Sequence, residues 1–357
     1  MQTVAVDAMG GDRAPHEVVA GAIEAAREEV HVLLVGRPEE LEAELATHPS
    51  SPRVEIVAAS DVIGSSDEPA AAVRGRPDSS LVRACRLVRE GAAGAVVSAG
   101  PTGAMLAASL VHIGRQRGIL RPGIAVPLPA RGNPCVLIDS GANPDARPEH
   151  LAQFGAMGAE FASDVLGVER PRVGLLSIGE EASKGNQRTV EAHALLSAAP
   201  DLDFAGNCEG RDVLTGEFQV VVADGFAGNV LLKGLEGAAA SMFSEMRRAA
   251  ATSLRAKIGG MLLRPALVDL RKRTDPEVYG GAYLLGVRGL VIICHGNAGR
   301  RGIANAIRYA ALGLDADVVG RVGTRASAAA PGSDLQPEAA ANTVSGVASP
   351  ETGDPSA

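Results

Sequence analysis

Six times along this chain of 357 residues a short apolar run ends in a turn that carries glycine, and that recurrence leaves few folds open. The first is Val4-Ala5-Val6-Asp7-Ala8-Met9-Gly10-Gly11-Asp12, with Pro15 opening a helix just beyond it. The others centre on Val97-Ser98-Ala99-Gly100, Ile138-Asp139-Ser140-Gly141, Leu176-Ser177-Ile178-Gly179, Val222-Ala223-Asp224-Gly225 and Ile293-Cys294-His295-Gly296. Runs so short and uninterrupted suit strands covered on both faces, as in a parallel sheet between helices. Glycine permits the backbone angles of the tight turn, and Pro15 fits a first helical turn, where its missing N–H would go unpaired anyway. Each such turn aims free N–H groups and the positive end of a helix dipole at one spot, where an anion is stabilised. One such turn is as readily structural as functional. Six of them predict an α/β fold with a mostly parallel sheet. Ligands of open sheets bind beyond the strands' carboxyl ends, so Asp7, Ser98, Asp139, Asn143, Ser177, Asp224 and His295 are expected to converge on one rim.

Composition removes several function classes. The chain is 46% hydrophobic but only 3% aromatic, with no Trp, so the core is aliphatic and stacking on bases or sugars is not a broad option. A formal charge of −8 lacks the basic footprint of a nucleic-acid binder. Cys85, Cys135, Cys208 and Cys294 show no C-x-x-C spacing, so neither a zinc site nor a disulfide frame is indicated and each reads as a small core residue. No secretory leader and no run approaching a membrane span is read, which predicts a cytoplasmic protein. Only Lys184, Lys233, Lys257 and Lys272 are lysine among 34 basic residues. In a chain that otherwise writes its cations as Arg, Lys184 inside a glycine-bearing loop hints that a compact ammonium is wanted there, although chance explains a single case equally well.

Between the turns, strands are expected at 31–35, 54–58, 123–128, 134–139 and 204–206, and helices at 38–46, 79–90, 102–115, 148–165 and 189–198. Arg83, Arg86 and Arg89 share one face of the 79–90 helix, either as a solvated face or as a dock for an acidic partner. Residues 241–273 differ in kind, with eight basic residues against Glu245 and Asp269. Leu254, Ile258, Met261 and Leu262 fall on one helical face there, with breaks expected at Gly259-Gly260 and Pro265. Such a segment either lies on an anionic membrane surface or packs in the core or at a dimer contact. Residues 1–323 read as one α/β catalytic unit from which 241–273 protrudes, and residues 324–357, rich in Ala, Ser, Pro and Gly, as a disordered tail.

Missing motifs narrow the chemistry. No two glycines stand one residue apart, so G-x-G-x-x-G is absent, as are G-x-x-x-x-G-K-[ST], H-E-x-x-H and G-x-S-x-G. Cys294 and His295 are neighbours in a strand pattern, which sends their side chains to opposite faces and prevents a dyad. A site of backbone N–H groups, Asn, Ser and one Lys, with no evident nucleophile, suits a substrate that brings its own. Inorganic phosphate is such a substrate.

Ala5-Val6-Asp7-Ala8-Met9-Gly10-Gly11-Asp12, Ser98-Ala99-Gly100-x-Thr102-Gly103-Ala104, Asp139-x-Gly141-Ala142-Asn143, Pro148-Glu149-His150-Leu151, Lys184-Gly185-Asn186, Asp224-Gly225-Phe226-x-Gly228-Asn229-Val230 and Tyr279-Gly280-Gly281-Ala282 together resemble the bacterial phosphate acyltransferase (PlsX) family over residues 1–312. The resemblance implies a three-layer Rossmann-like fold similar to phosphotransacetylases and the isocitrate and isopropylmalate dehydrogenases. It implies transfer of a long fatty acyl group from acyl carrier protein to inorganic phosphate, without metal or nucleotide cofactor. The acyl phosphate product would feed phospholipid synthesis through a membrane acyltransferase that acts on glycerol 3-phosphate. It implies a homodimer, and with the basic excursion a peripheral association with the membrane. Two departures stand out: Pro101 replaces a usual Asn, and Asn297-Ala298 follow His295-Gly296 in place of two serines. On this reading Gly10, Gly11, Asp12, Gly100, Thr102, Gly103 and Lys184 hold phosphate. Lys184 with Asn186 or Asn229 stabilises the oxyanion, and Asp7, Ser98, Asp139, Asn143 and Asn186 count among the substrate-binding residues. Asp224, placed with the catalytic ones, and Asp139 orient Lys184, the glycine turns and the asparagines rather than act as bases. His295 is either the proton donor to the departing thiol or a structural residue. Three rivals remain: a phosphotransacetylase acting on acyl-coenzyme A, a metal- and nicotinamide-dependent decarboxylating dehydrogenase, and a non-catalytic lipid-surface protein.

Overall fold

The apolar runs become strands in the computed structural model, which describes residues 1–273 and 276–328. The first half of the chain runs β1 (Thr3–Asp7), α1 (His16–Ala26), β2 (His31–Gly36), α2 (Pro38–Leu45), β3 (Val54–Ala58), α3 (Pro69–Gly75), α4 (Ser80–Arg89), β4 (Ala95–Ser98) and α5 (Thr102–Ala108), which continues into a wider π turn over Ser109–Ile113. Then follow β5 (Gly123–Leu128), β6 (Cys135–Ile138), α6 (Pro148–Asp164), β7 (Val173–Leu176), α7 (Gln187–Ala198), β8 (Phe204–Cys208), β9 (Val220–Val222), α8 (Gly225–Ala251) and α9 (Leu254–Arg273). The chain returns through β10 (Ala282–Leu285), β11 (Leu290–Ile293), α10 (Arg300–Asp315) and α11 (Val318–Ala328).

The eleven strands among the described residues form one sheet in the order β3-β2-β1-β4-β11-β10-β5-β6-β9-β7-β8. Alternate residues feed opposite faces: Val4 and Val6 pack in one cluster and Ala5 in another, and Val136 and Ile138 part likewise from Leu137. Helices therefore cover both faces, giving the three-layer α/β architecture. The strands from β3 to β11 run parallel, as do those from β6 to β8. Between these blocks lie three antiparallel pairings, β11 with β10, β10 with β5 and β5 with β6. An odd number of reversals leaves the blocks pointing opposite ways. The polar strand ends therefore occupy two rims rather than the single rim expected, because β10, whose pairing the turn pattern did not signal, and β5 reverse the sheet in its middle.

The basic excursion is a helical hairpin. Of the 27 residues of α8 only Gly225 and Gly228 are buried, so most of its ~40 Å length stands off the body. The break falls at Thr252-Ser253, not at Gly259-Gly260 or Pro265. Ser253 Oγ accepts the Ala256 N–H at 3.1 Å and caps α9, while Pro265 is held inside the helix. Gly260 serves close packing instead: a Cβ there would meet that of Ala250 at 2.9 Å. Helix α11 extends through Ala328, five residues into the stretch read as tail, and residues 329–357 lie outside the described ones.

Candidate active site

On the first rim the turns after β1, β4 and β11 lock together. Asp7, 2% exposed, accepts the Ser98 hydroxyl at 2.7 Å, and Ser98 Oγ accepts the Gly100 N–H at 2.9 Å. Burial pushes the Asp7 carboxyl above its ordinary range, against the pull of its hydroxyl and backbone donors. A Cβ at Gly10 would lie 2.4 Å from an Asp7 oxygen and 2.9 Å from the Gly100 nitrogen, so only glycine lets the two turns touch. Gly11 takes a φ of 106°, and the Asp12 N–H donates to the Gly296 carbonyl at 2.7 Å. Three of the N–H groups expected to cradle an anion, those of Gly10, Asp12 and Gly100, are thus spent inside the protein. These turns build the rim and leave the first turn of α5 without a side-chain cap from Pro101.

On the opposite rim a second lock forms around Asp139, wholly buried. Its two oxygens accept the N–H groups of Ile124, Gly141, Ala142 and Asn143, and the Asn143 side-chain amide, at 2.7–3.1 Å. That amide also donates to Pro122. Helix α8 sits directly on this turn: a Cβ at Gly228 would fall 2.0 Å from the Asp139 carbonyl oxygen. Asp224 caps α8 by accepting the Ala227 N–H and pairs with Arg188 at 2.7 Å. Asp139, the Asn143 side-chain N–H groups and Asp224 are thus engaged by protein partners. Asn143 has no free amide for a substrate.

Between the two rims, on the face bearing α5 and α8, lies a cavity of about 620 Å³. Thr102 and Gly103 of α5, Asn229 of α8 and His295 line it, bringing four of the expected site residues together across the sheet rather than along one edge. Its floor is apolar, built by Leu106, Ile124, Val126, Pro127, Leu232 and Ile293. Cys294 borders it too, but burial pushes its thiol up to about 12, which removes it as a nucleophile. Strand β11 ends at Ile293, but the Cys294 N–H still donates to the Ser98 carbonyl at 2.8 Å. Ile293 and Cys294 lie in different core clusters, and Cys294 is buried where His295 is exposed.

Lys184 and Asn186 do not line this cavity. Lys184 is exposed on the loop after β7, folded over Gly179, and Asn186 caps α7 by accepting the Thr189 N–H at 2.9 Å. Lys233 lines it instead, one helical turn beyond Asn229 and paired with Glu236 at 2.8 Å. Lys233 escaped the sequence reading; its only signals were the scarcity of lysine and the i, i+4 spacing from Asn229. Glu277, also on the wall, accepts the Gly299 N–H at 2.9 Å, a contact that no local pattern announced. Among the described residues no group of three His, Cys, Asp or Glu side chains is placed to hold a metal, and no helix is long and apolar enough to cross a membrane.

The fatty acid synthesis protein family matches residues 2–321. Over 309 residues the chain is 50% identical to the phosphate acyltransferase of Moorella thermoacetica, covering 86% of this chain and 91% of that relative. Among solved structures, a phosphotransacetylase from Streptococcus pyogenes superposes with a TM-score of 0.60 at 18% identity, over 88% of this chain and 94% of the other. A branched-chain phosphotransacylase from Enterococcus faecalis gives 0.51 at 17% identity, over 88% and 100%. These two likenesses carry the fold alone.

Proposed function

The chain belongs to the phosphate acyltransferase family of lipid-synthesising enzymes, and from that premise we propose that it moves a long-chain fatty acyl group from acyl carrier protein to inorganic phosphate. One observation carries this reading: a single cavity pairs an apolar floor with Thr102, Asn229, Lys233 and His295, and its one thiol is inert. A site without its own nucleophile suits phosphate dianion, which attacks unaided. The floor accommodates the apolar chain of the donor. Lys233 supplies charge to the phosphate, and the first-turn N–H groups of α5 and the Asn229 amide stabilise the oxyanion that develops on the thioester carbonyl. A phosphate oxygen forms a bond to the acyl carbon, the carbon–sulfur bond breaks, and the departing thiolate takes a proton, with His295 as donor.

Asp7, Gly10, Gly11, Asp12, Ser98 and Gly100 hold the N-terminus of α5 in place on this scheme, and Asp139, Asn143 and Asp224 that of α8. The acyl phosphate would enter phosphatidic acid synthesis through a membrane glycerol-3-phosphate acyltransferase. The α8–α9 hairpin, with Leu254, Ile258, Met261 and Leu262 all exposed, is read as the surface for a second copy of the chain or for the membrane. The deciding experiment is phosphate-dependent release of thiol from palmitoyl-carrier protein, with palmitoyl-CoA as control. Release from the carrier is expected. Release from CoA alone would make the chain a phosphotransacetylase instead.

A further inference from the structure

The π turn that prolongs α5 leads from the active cavity to a second one. At its far end Val111 and Ile113, with Val88 of α4, line a cavity of about 470 Å³ that Arg89, Arg115 and Arg288 surround. Arg86 stands one turn before Arg89 on α4. Among the described residues none of these four guanidiniums forms an ion pair within 4 Å, although Asp78, which Arg83 holds at 3.6 Å, also feels the Arg86 charge. Two of them are held in position by backbone carbonyls: Arg115 donates to Leu120, and Arg288 Nε donates to the Arg115 carbonyl at 3.1 Å. Between the arginines of α4 and the π turn the buried Nε2 of His112 has no partner. Burial and the Arg86 and Arg89 charges press this imidazole toward its neutral form. Arg89, Arg115 and Arg288 around an apolar centre, with Arg86 beside them on α4 and a chain of net charge −8, have the anatomy of an interface whose partner is acidic.

We propose that Arg86, Arg89, Arg115 and Arg288, with Val88 and Val111 at their centre, dock an acidic helix of the acyl carrier. This rests on the reading above that the acyl donor is carrier-bound. Position supports it beyond charge. Eleven residues separate Thr102 at the active cavity from Ile113 at the arginine cavity, roughly 16 Å at helical rise. A donor carried on a long flexible arm can be held at one end of that helix and react at the other. A small free thioester has no need of the second site. Val111, 52% exposed, offers the apolar contact that a charged rim would shield from water.

The test uses the full chain with palmitoyl-carrier protein. Arg89→Glu and Arg288→Glu are each expected to raise the KM for the carrier about tenfold or more, with the effect shrinking as salt is added. Arg89→Gln should give a smaller rise, which separates lost attraction from misfolding. Arg27→Glu, at the exposed end of α1 on the opposite face of the sheet, makes the same change of net charge and should leave that KM within about twofold. A carrier KM unmoved by both reversals, or moved equally by Arg27→Glu, overturns the docking surface. Wild-type protein that releases no thiol from palmitoyl-carrier overturns the proposed function itself, so the two failures are distinguishable.

Discussion

At the scale of single residues, the site sets two lysines against each other. Lys233 lines the cavity, and Lys184 rests on an exposed loop away from it. If Lys233 meets phosphate and the developing oxyanion, Lys233→Ala should lower kcat/KM for phosphate-dependent thiol release by ~10²–10³, the cost of losing one such donor. Lys233→Arg should recover only part of it, because a planar guanidinium does not replace a compact ammonium. Lys184→Ala is expected to cost less than Lys233→Ala in the same assay, and the reverse order would move the phosphate to the loop after β7. Asp7 makes a different prediction. Its folded pKa is raised by burial, so its contribution to stability is fully present below the unfolded value, near 3.9, and is lost as pH rises through the folded value. Asp7→Asn does not titrate. Its stability relative to wild type should therefore improve as pH climbs from about 4 towards neutrality, read as the difference in denaturation midpoints at the two ends of that range.

At the scale of the element, α8 shows which glycines a helix needs. Gly228 faces the Asp139 carbonyl, where a Cβ would come to 2.0 Å, while Gly234 and Gly237 have nothing within 4 Å. Gly228→Ala forces backbone apart and should destabilise by ~1–3 kcal/mol, dragging Asn229 from the cavity and lowering turnover. Gly234→Ala should be neutral or stabilising by up to ~1 kcal/mol, since alanine loses less backbone entropy in an exposed helix. Denaturant midpoints of the two variants check both signs. The same helix shows what a sequence can disclose. Asp224 before Gly225 announces a cap, and the apolar runs of β1, β4, β6, β7, β9 and β11 announce strands, because these are local properties of the chain. The pairing of β10 between β11 and β5 is a property of distant segments. With it went the direction of half the sheet, and so the expectation of one shared rim. Lys184 was singled out by its loop, whereas Lys233 needed the course of α8 across the sheet before it could be placed at the cavity.

At the scale of the whole molecule, charge is divided unevenly. Residues 241–273 carry +6, so the rest of the chain carries −14. The hairpin that bears this charge also exposes large apolar side chains, Leu254 at 76% and Leu262 at 74%. Cations beside bare aliphatic groups match the two layers of an anionic bilayer surface, phosphates outside and acyl chains beneath. Each Lys or Arg brought near such a surface contributes about 1 kcal/mol, an attraction that falls off within a Debye length. The acidic body would be repelled by the same surface, so any contact is confined to the hairpin tip and fixes how the protein would stand on the membrane. The full chain is therefore expected to sediment with vesicles containing anionic lipid at low salt, to be released at high salt, and to ignore vesicles of neutral lipid. Ile258→Glu leaves most of the positive charge in place but puts a carboxylate where an acyl chain should be met, and it should abolish most of the binding. If neutral and anionic vesicles sediment the protein equally, or Ile258→Glu binds as wild type does, the exposed face of α9 serves a second protein chain instead. The loss of that contact would then be read as a change in oligomeric state on sedimentation velocity.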